Sequence, residues 1–252
     1  MKRIGLLLTL LCMLVFSVTV SAAEISSDGY VEVMGVGEPG QSYNAGIRAA
    51  EVMAYRKAAE EIGEMQLDSD TTVEQGLTLS DTVRTKLHAV IRRAKVVKEY
   101  RGEDGYFYAT VRVPIFGIEN SVASVVMPRH EKTEPFPQPR QEVAASGGYT
   151  GVIVDCRGLG LVTAMSPVIK DEKGEKIYGY KNLDCDYVIK HGMASYNSEG
   201  RVGSNPLRIK AVSVEGYGKP CNPVISAQDA NRLLAENAKA HFLERCAVVF
   251  LR

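Results

Sequence analysis

The chain has 252 residues, 45% of them hydrophobic, and sets 30 Lys and Arg against 30 Asp and Glu. That length can bury a substantial core, as one large domain or two small ones. Its charges are interspersed, which excludes the clustered positive surface that a nucleic-acid backbone requires.

Lys2 and Arg3 form a positive n-region, Leu6 to Phe16 is apolar apart from Thr9, and Val20-Ser21-Ala22-Ala23 offers small residues for cleavage. This pattern predicts a secretory signal peptide over residues 1–23. The run is too short to span a bilayer, and Ser17, Thr19, Ser21 and Glu24 follow it with no basic stop-transfer flank. Cys12 sits mid-run behind Leu11, where lipoprotein processing wants a small residue, and reads as a hydrophobe rather than an anchor. No later segment reaches spanning length, so a soluble periplasmic or secreted mature chain without a transmembrane segment is expected.

Tyr30 to Met34 alternates as a short strand ending at Gly35. A long helix follows, capped by Ser42 or Asn44, with Ala45, Ala49, Val52, Met53, Ile62 and Met65 at helical spacing and the Ala50/Ala54/Ala58 row beside them. Ser80 caps a second helix whose Val83, Leu87, Val90, Ile91 and Ala94 form one apolar face. Lys95–Arg101 and Tyr106–Val113 then read as a hairpin around an Asp-Gly turn.

Residues 129–148 have no apolar period and hold three of the ten prolines before an Ala/Ser/Gly stretch. They predict a linker, extended in its first part and flexible in its second, between domains at 24–128 and 149–252. Beyond it, Gly151–Cys156 is a continuous apolar run that suits a central strand. Ala164–Lys170 with Lys176–Tyr180 forms a second hairpin, and Leu207–Glu215 is another strand. Ser226-Ala227-Gln228-Asp229 opens a helix with Ala230, Leu233, Leu234, Ala238 and Phe242 on its core stripe, and Ala247–Arg252 closes the chain as an apolar strand. The expected class is α+β: two small mixed domains, each a sheet with one or two helices.

Four cysteines follow the leader, Cys156, Cys185, Cys221 and Cys246, and either disulfides or buried thiols are consistent with an exported protein of this size. Gly35-Val36-Gly37-Glu38-Pro39-Gly40 has the spacing of a dinucleotide fingerprint, but no second strand ends in an acid behind the helix. It reads as a tight strand-to-helix turn, and no cofactor is expected. His88, His130, His191 and His241 are scattered, without metal-ligand spacing, and no hydrolase signature is present.

Two sites remain. Asp155 and Arg157 follow the central strand, and Arg201 and Asn205 stand in a second glycine-containing loop, where they either hold a small anion together or tie loops down. Tyr106, Tyr108 and Arg112 share one face of their strand, which is either a partner surface or a solvated sheet.

The first domain resembles the LPP-type small outer-membrane lipoprotein family and the N-terminal domain of flagellar assembly protein T. The resemblance rests on Gly35-Val36-Gly37, the alanine-rich helix through Ala49, Ala50, Ala54, Ala58 and Ala59, and the closing strand Tyr106–Pro114. The second domain, with Gly151–Asp155 and Arg201–Leu207, resembles a domain of uncharacterised bacterial envelope proteins. The resemblance implies a non-enzymatic envelope protein with a structural or assembly role. Its partners would be envelope or outer-membrane-associated proteins, the flagellar apparatus among them. A periplasmic module for a small anionic or glycan ligand is the competing expectation, and an unrecognised hydrolase a remoter one.

Overall fold

The computed structural model describes residues 29–77, 80–141 and 143–252; the leader expected over 1–23 and Cys12 lie outside them. In the first half, strands β1 (Tyr30–Gly37), β2 (Lys95–Arg101) and β3 (Phe107–Pro114) form an antiparallel sheet of order β1-β3-β2. Helices α1 (Tyr43–Glu64), α2 (Val73–Leu77), α3 (Asp81–Arg92) and α4 (Val122–Val126) complete it.

The long helix is seated on the sheet through glycines. β1 runs on through Gly37 instead of ending at Gly35, so Gly35-Val36-Gly37 is strand and not the expected turn. A Cβ on Gly35 would lie 2.1 Å from the Ala50 carbonyl oxygen and 2.2 Å from the Ala54 nitrogen, and one on Gly37 2.3 Å from the Gly46 oxygen. The missing side chains let two backbones touch. The buried face of α1 is accordingly its small-residue row, with Gly46, Ile47, Ala50, Ala54, Ala58 and Ile62, whereas Val52 and Met53 of the expected stripe are exposed. In α3 the expected face holds: Leu87, Val90 and Ile91 are buried.

The second half contains β4 (Gly151–Asp155), β5 (Ile169–Asp171), β6 (Lys176–Tyr178), α5 (Cys185–His191), β7 (Ser195–Tyr196), β8 (Pro206–Lys210), β9 (Ser213–Glu215), β10 (Asn222–Ile225), α6 (Ala227–Ala240) and β11 (Val248–Leu251). It carries two sheets, not the single one expected. One is parallel throughout, order β7-β11-β4-β8, and the other mixed, order β6-β5-β10-β9. β4 is an inner strand, as its apolar run predicts. The single strand expected over Leu207–Glu215 breaks at Ala211, and its two pieces serve different sheets. Ser226 caps α6, its hydroxyl accepting from the Asp229 N–H at 3.0 Å.

The halves share one continuous apolar core from Val31 and Val33 through Ile62 and Val111 to Leu233 and Phe250. Backbone bonds join them directly: Met165 N–H donates to the Gln66 carbonyl (3.0 Å), Ser166 to Leu67 (2.8 Å) and Gly117 to Ile189 (2.8 Å). The segment expected as a linker is extended, but it is fastened along the second half. Phe136 stacks on Tyr178, and the Arg140 N–H donates to the Asn231 side chain at 2.7 Å. The Ser146 and Gly147 N–H groups donate to the buried Glu236 carboxylate at 2.9 and 2.8 Å. Its Ala/Ser/Gly part is therefore a tied strap rather than a flexible tether.

Candidate functional site

Alternation along β3 sends Phe107, Ala109, Val111 and Val113 into the core beneath α1, where all four are fully buried. Among the described residues no element covers the opposite face. It displays Tyr108, Thr110, Arg112 and Pro114 of β3 beside Tyr30, Glu32, Met34 and Val36 of β1, with Glu32 and Met34 exposed. Cross-strand pairing adds Lys95, Lys98 and Tyr100 of β2 opposite Arg112, Thr110 and Tyr108.

This face is internally braced. Tyr100 and Tyr108 stack with centroids 4.9 Å apart. The Tyr108 hydroxyl donates to Asp104, and that bond pushes the phenol up to about 12, so it is a neutral donor at any physiological pH. Arg112 lies over the Tyr30 ring at 4.1 Å and donates through Nε and Nη2 to Glu32 (2.8 and 2.6 Å). Tyr106 falls one residue before β3 and stands in the turn, so of the expected trio only Tyr108 and Arg112 sit on the sheet face.

At one end of this face a groove of about 310 Å³ opens between the end of α3, the starts of β1 and β2 and the end of β3. Its walls are Val90, Ala94, Pro114, Tyr30 and Phe116, and its rim carries Arg93, Lys95, Arg112 and Asn120. Nothing in the sequence marks it, because its cations come from three elements: the end of α3, β2 and β3. The spacing of Arg93 and Lys95 shows nothing until the chain turns at Ala94.

The other expected site is not assembled. β4, β11, β7 and β8 are parallel, so their two ends are distinct. Asp155 and Arg157 lie at the carboxyl end, where Arg157 pairs with Asp155 through Nε and Nη2 (2.9 and 2.6 Å) and holds that carboxyl near 2. Arg201 and Asn205 lie at the amino end. Arg201 donates to the carbonyls of His191, Gly192 and Cys246, and Asn205 to Gly148. A five-residue strand separates the two groups by about 16 Å. Each set ties down its own loop, and no joint anion pocket forms.

Cys156, Cys185, Cys221 and Cys246 are all free and buried, so the thiol alternative is the one this structure contains. Burial pushes the Cys156 and Cys221 thiols up to about 12 and Cys246 to about 11, which leaves them protonated and unreactive. His130 has its Nδ1 buried without a partner, its Nε2 facing the Tyr180 carbonyl at 3.3 Å. Among the described residues no group of His, Cys, Asp and Glu is arranged to hold a metal ion, and no helix is long and apolar enough to cross a membrane.

Two stretches of the chain match known protein families. Residues 19–114 match the LPP20 lipoprotein family, and residues 151–252 match the second domain of Treponema pallidum Tp0624. No curated protein matches the chain. The two matches divide the chain where the fold changes from the antiparallel sheet to the parallel one, and together they support a two-domain, lipoprotein-like protein.

Proposed function

We propose that this is an exported, non-enzymatic protein of the cell envelope that works through protein contacts, in a structural or assembly role, on the periplasmic side and peripheral to the outer membrane. The observation that carries the reading is the uncovered face of the first sheet. Its aromatic, Met and Arg content is favoured at protein interfaces, while the residues of β1 and β3 that point to the other side are buried. The likeness to a lipoprotein family supports the envelope, and the sequence resemblance to flagellar assembly protein T makes the flagellar apparatus one partner to examine.

The test is photo-crosslinking in living cells from positions Met34 and Thr110, which lie on this face. Discrete adducts with envelope or motility proteins are expected, together with a permeability, shape or swimming defect in the deletion strain. No adduct from either position, with a normal deletion strain, overturns the reading. Turnover of an envelope substrate by the purified chain would replace it with an enzymatic one.

A further inference from the structure

We infer that the groove at the end of the first sheet is a binding site for an acidic peptide segment of a partner protein, one or two carboxylates beside an apolar side chain. The inference rests on the protein-contact reading above and supplies the chemistry of the partner. Three cations converge here from separate elements: Arg93 at the end of α3, Lys95 at the start of β2, and Arg112 on β3, directly opposite Lys95. Arg112 already holds a carboxylate, that of Glu32, at 2.6 Å, which shows the group this rim accepts.

Arg93 turns its Nη1 only to the Asn120 amide oxygen at 3.2 Å, and Lys95 is exposed; neither meets a carboxylate among the described residues. Among the described residues the rim therefore keeps two positive charges with no carboxylate beside them. Arg93 also lies where a cation suits the carboxyl end of α3, but Lys95 is beyond that helix and owes nothing to its dipole. Between the charges the walls are apolar, formed by Val90, Ala94, Pro114 and the Phe116 ring.

Volume selects the ligand's size. About 310 Å³ is at the lower limit of ligand pockets and seats one or two side chains. The groove opens onto the uncovered sheet face, so a partner lying on that face reaches it without rearrangement. Electrostatic attraction on an exposed rim speeds encounter and weakens with salt, since charges are screened beyond about 8 Å at physiological ionic strength.

The probe is a displayed library of random heptapeptides panned against the full chain. Selected sequences should be enriched in Asp or Glu next to an apolar residue. A synthetic form of the most enriched peptide should bind about tenfold or more weakly to the Arg93→Glu, Lys95→Glu variant. It should bind unchanged to Lys132→Glu, Lys219→Glu, which alters net charge equally at exposed positions outside the groove. Both variants should fold, the first with a melting temperature no more than a few degrees below the parent, because Arg93 also faces the carboxyl end of α3. Neutral or basic selected peptides, or equal binding to both variants, overturn the inference. So does complete displacement by free acetate at the peptide's own concentration, which would make this a site for small carboxylates. Crosslinking from Met34 that survives Arg93→Glu, Lys95→Glu would leave the protein-contact reading standing and refute the groove alone.

Discussion

The two main sheets solve the same burial problem in opposite ways. The first is antiparallel and buries one face so tightly that helix and strand backbones touch, leaving its other face to the surroundings. The parallel sheet around β4 is covered on both sides. Val152 and Val154 enter the main core, while Ile153 and Val249 pack under Val202 of the loop at residues 199–202. Its inner strands β4 and β11 are buried on both faces, and their ends are occupied by loop-tying pairs. The half-covered sheet is where a partner can be met, which is why the proposed contacts fall in the first half.

The contrast gives a graded set of expectations. The largest effect should come from Gly35→Val. A side chain there drives into the Ala50 and Ala54 backbone, which cannot retreat as a flexible side chain would, so the cost is at least about 3 kcal/mol. Loss of the first-half fold by hydrogen exchange is the readout; a native melting curve would contradict the close approach. Phe250→Ala, in the inner strand of the parallel sheet, should cost about 3–5 kcal/mol by leaving a cavity where the ring is fully buried. Denaturant midpoints measure it.

Next comes Arg201→Ala. It strips three loop carbonyls of their donor and should cost about 2 kcal/mol. A variant as stable as the parent would count against the loop-tying role. Glu236→Gln removes the charge that anchors the strap, with an expected cost of about 1.5 kcal/mol and faster proteolysis near Ser146.

The same carboxylate has a pH signature. Burial raises its pKa, but the Ser146 and Gly147 N–H groups, the Ser146 hydroxyl and Arg232 outweigh that, and the net shift is downward. A pKa lower in the folded than in the unfolded chain means that anchoring is complete above the ordinary glutamate value, about 4.3. It is lost as pH falls through the folded value, so protease sensitivity of the strap should rise on acidification below about pH 4 and should not do so in Glu236→Gln. The smallest effect should be that of Arg157→Ala. This side chain is exposed and pairs with its neighbour Asp155, so the melting temperature should not move.

Local chemistry made several elements legible. The Ser80 and Ser226 starts, the three-and-four spacing of Leu87, Val90 and Ile91, the Asp-Gly hairpin and the inner position of the Gly151–Asp155 run all follow from neighbours within a turn or a strand. Short elements were not legible. α5 and β10 carry too few residues for a period to show, and β10 begins with the polar Asn222 and contains Pro223. On α1 the Ala50/Ala54/Ala58 row and Ile62 are buried as their spacing predicts, but Val52 and Met53 are not, because the glycines of β1 select the row with the smallest side chains.

The amino-acid order was enough for the α+β class, the change of character between the halves, the two-faced β3 and the absence of any familiar catalytic motif, because each depends on periodicity or spacing along the chain. Only the tertiary structure decided that Arg157 and Arg201 stand at opposite ends of a parallel sheet, that the proline-rich segment is a strap, and that Arg93, Lys95 and Arg112 share one groove. Those outcomes depend on which distant strands become neighbours. Strand pairing brings residues together through backbone hydrogen bonds that every sequence can make, so the side chains that end up side by side carry no mark of it in the chain.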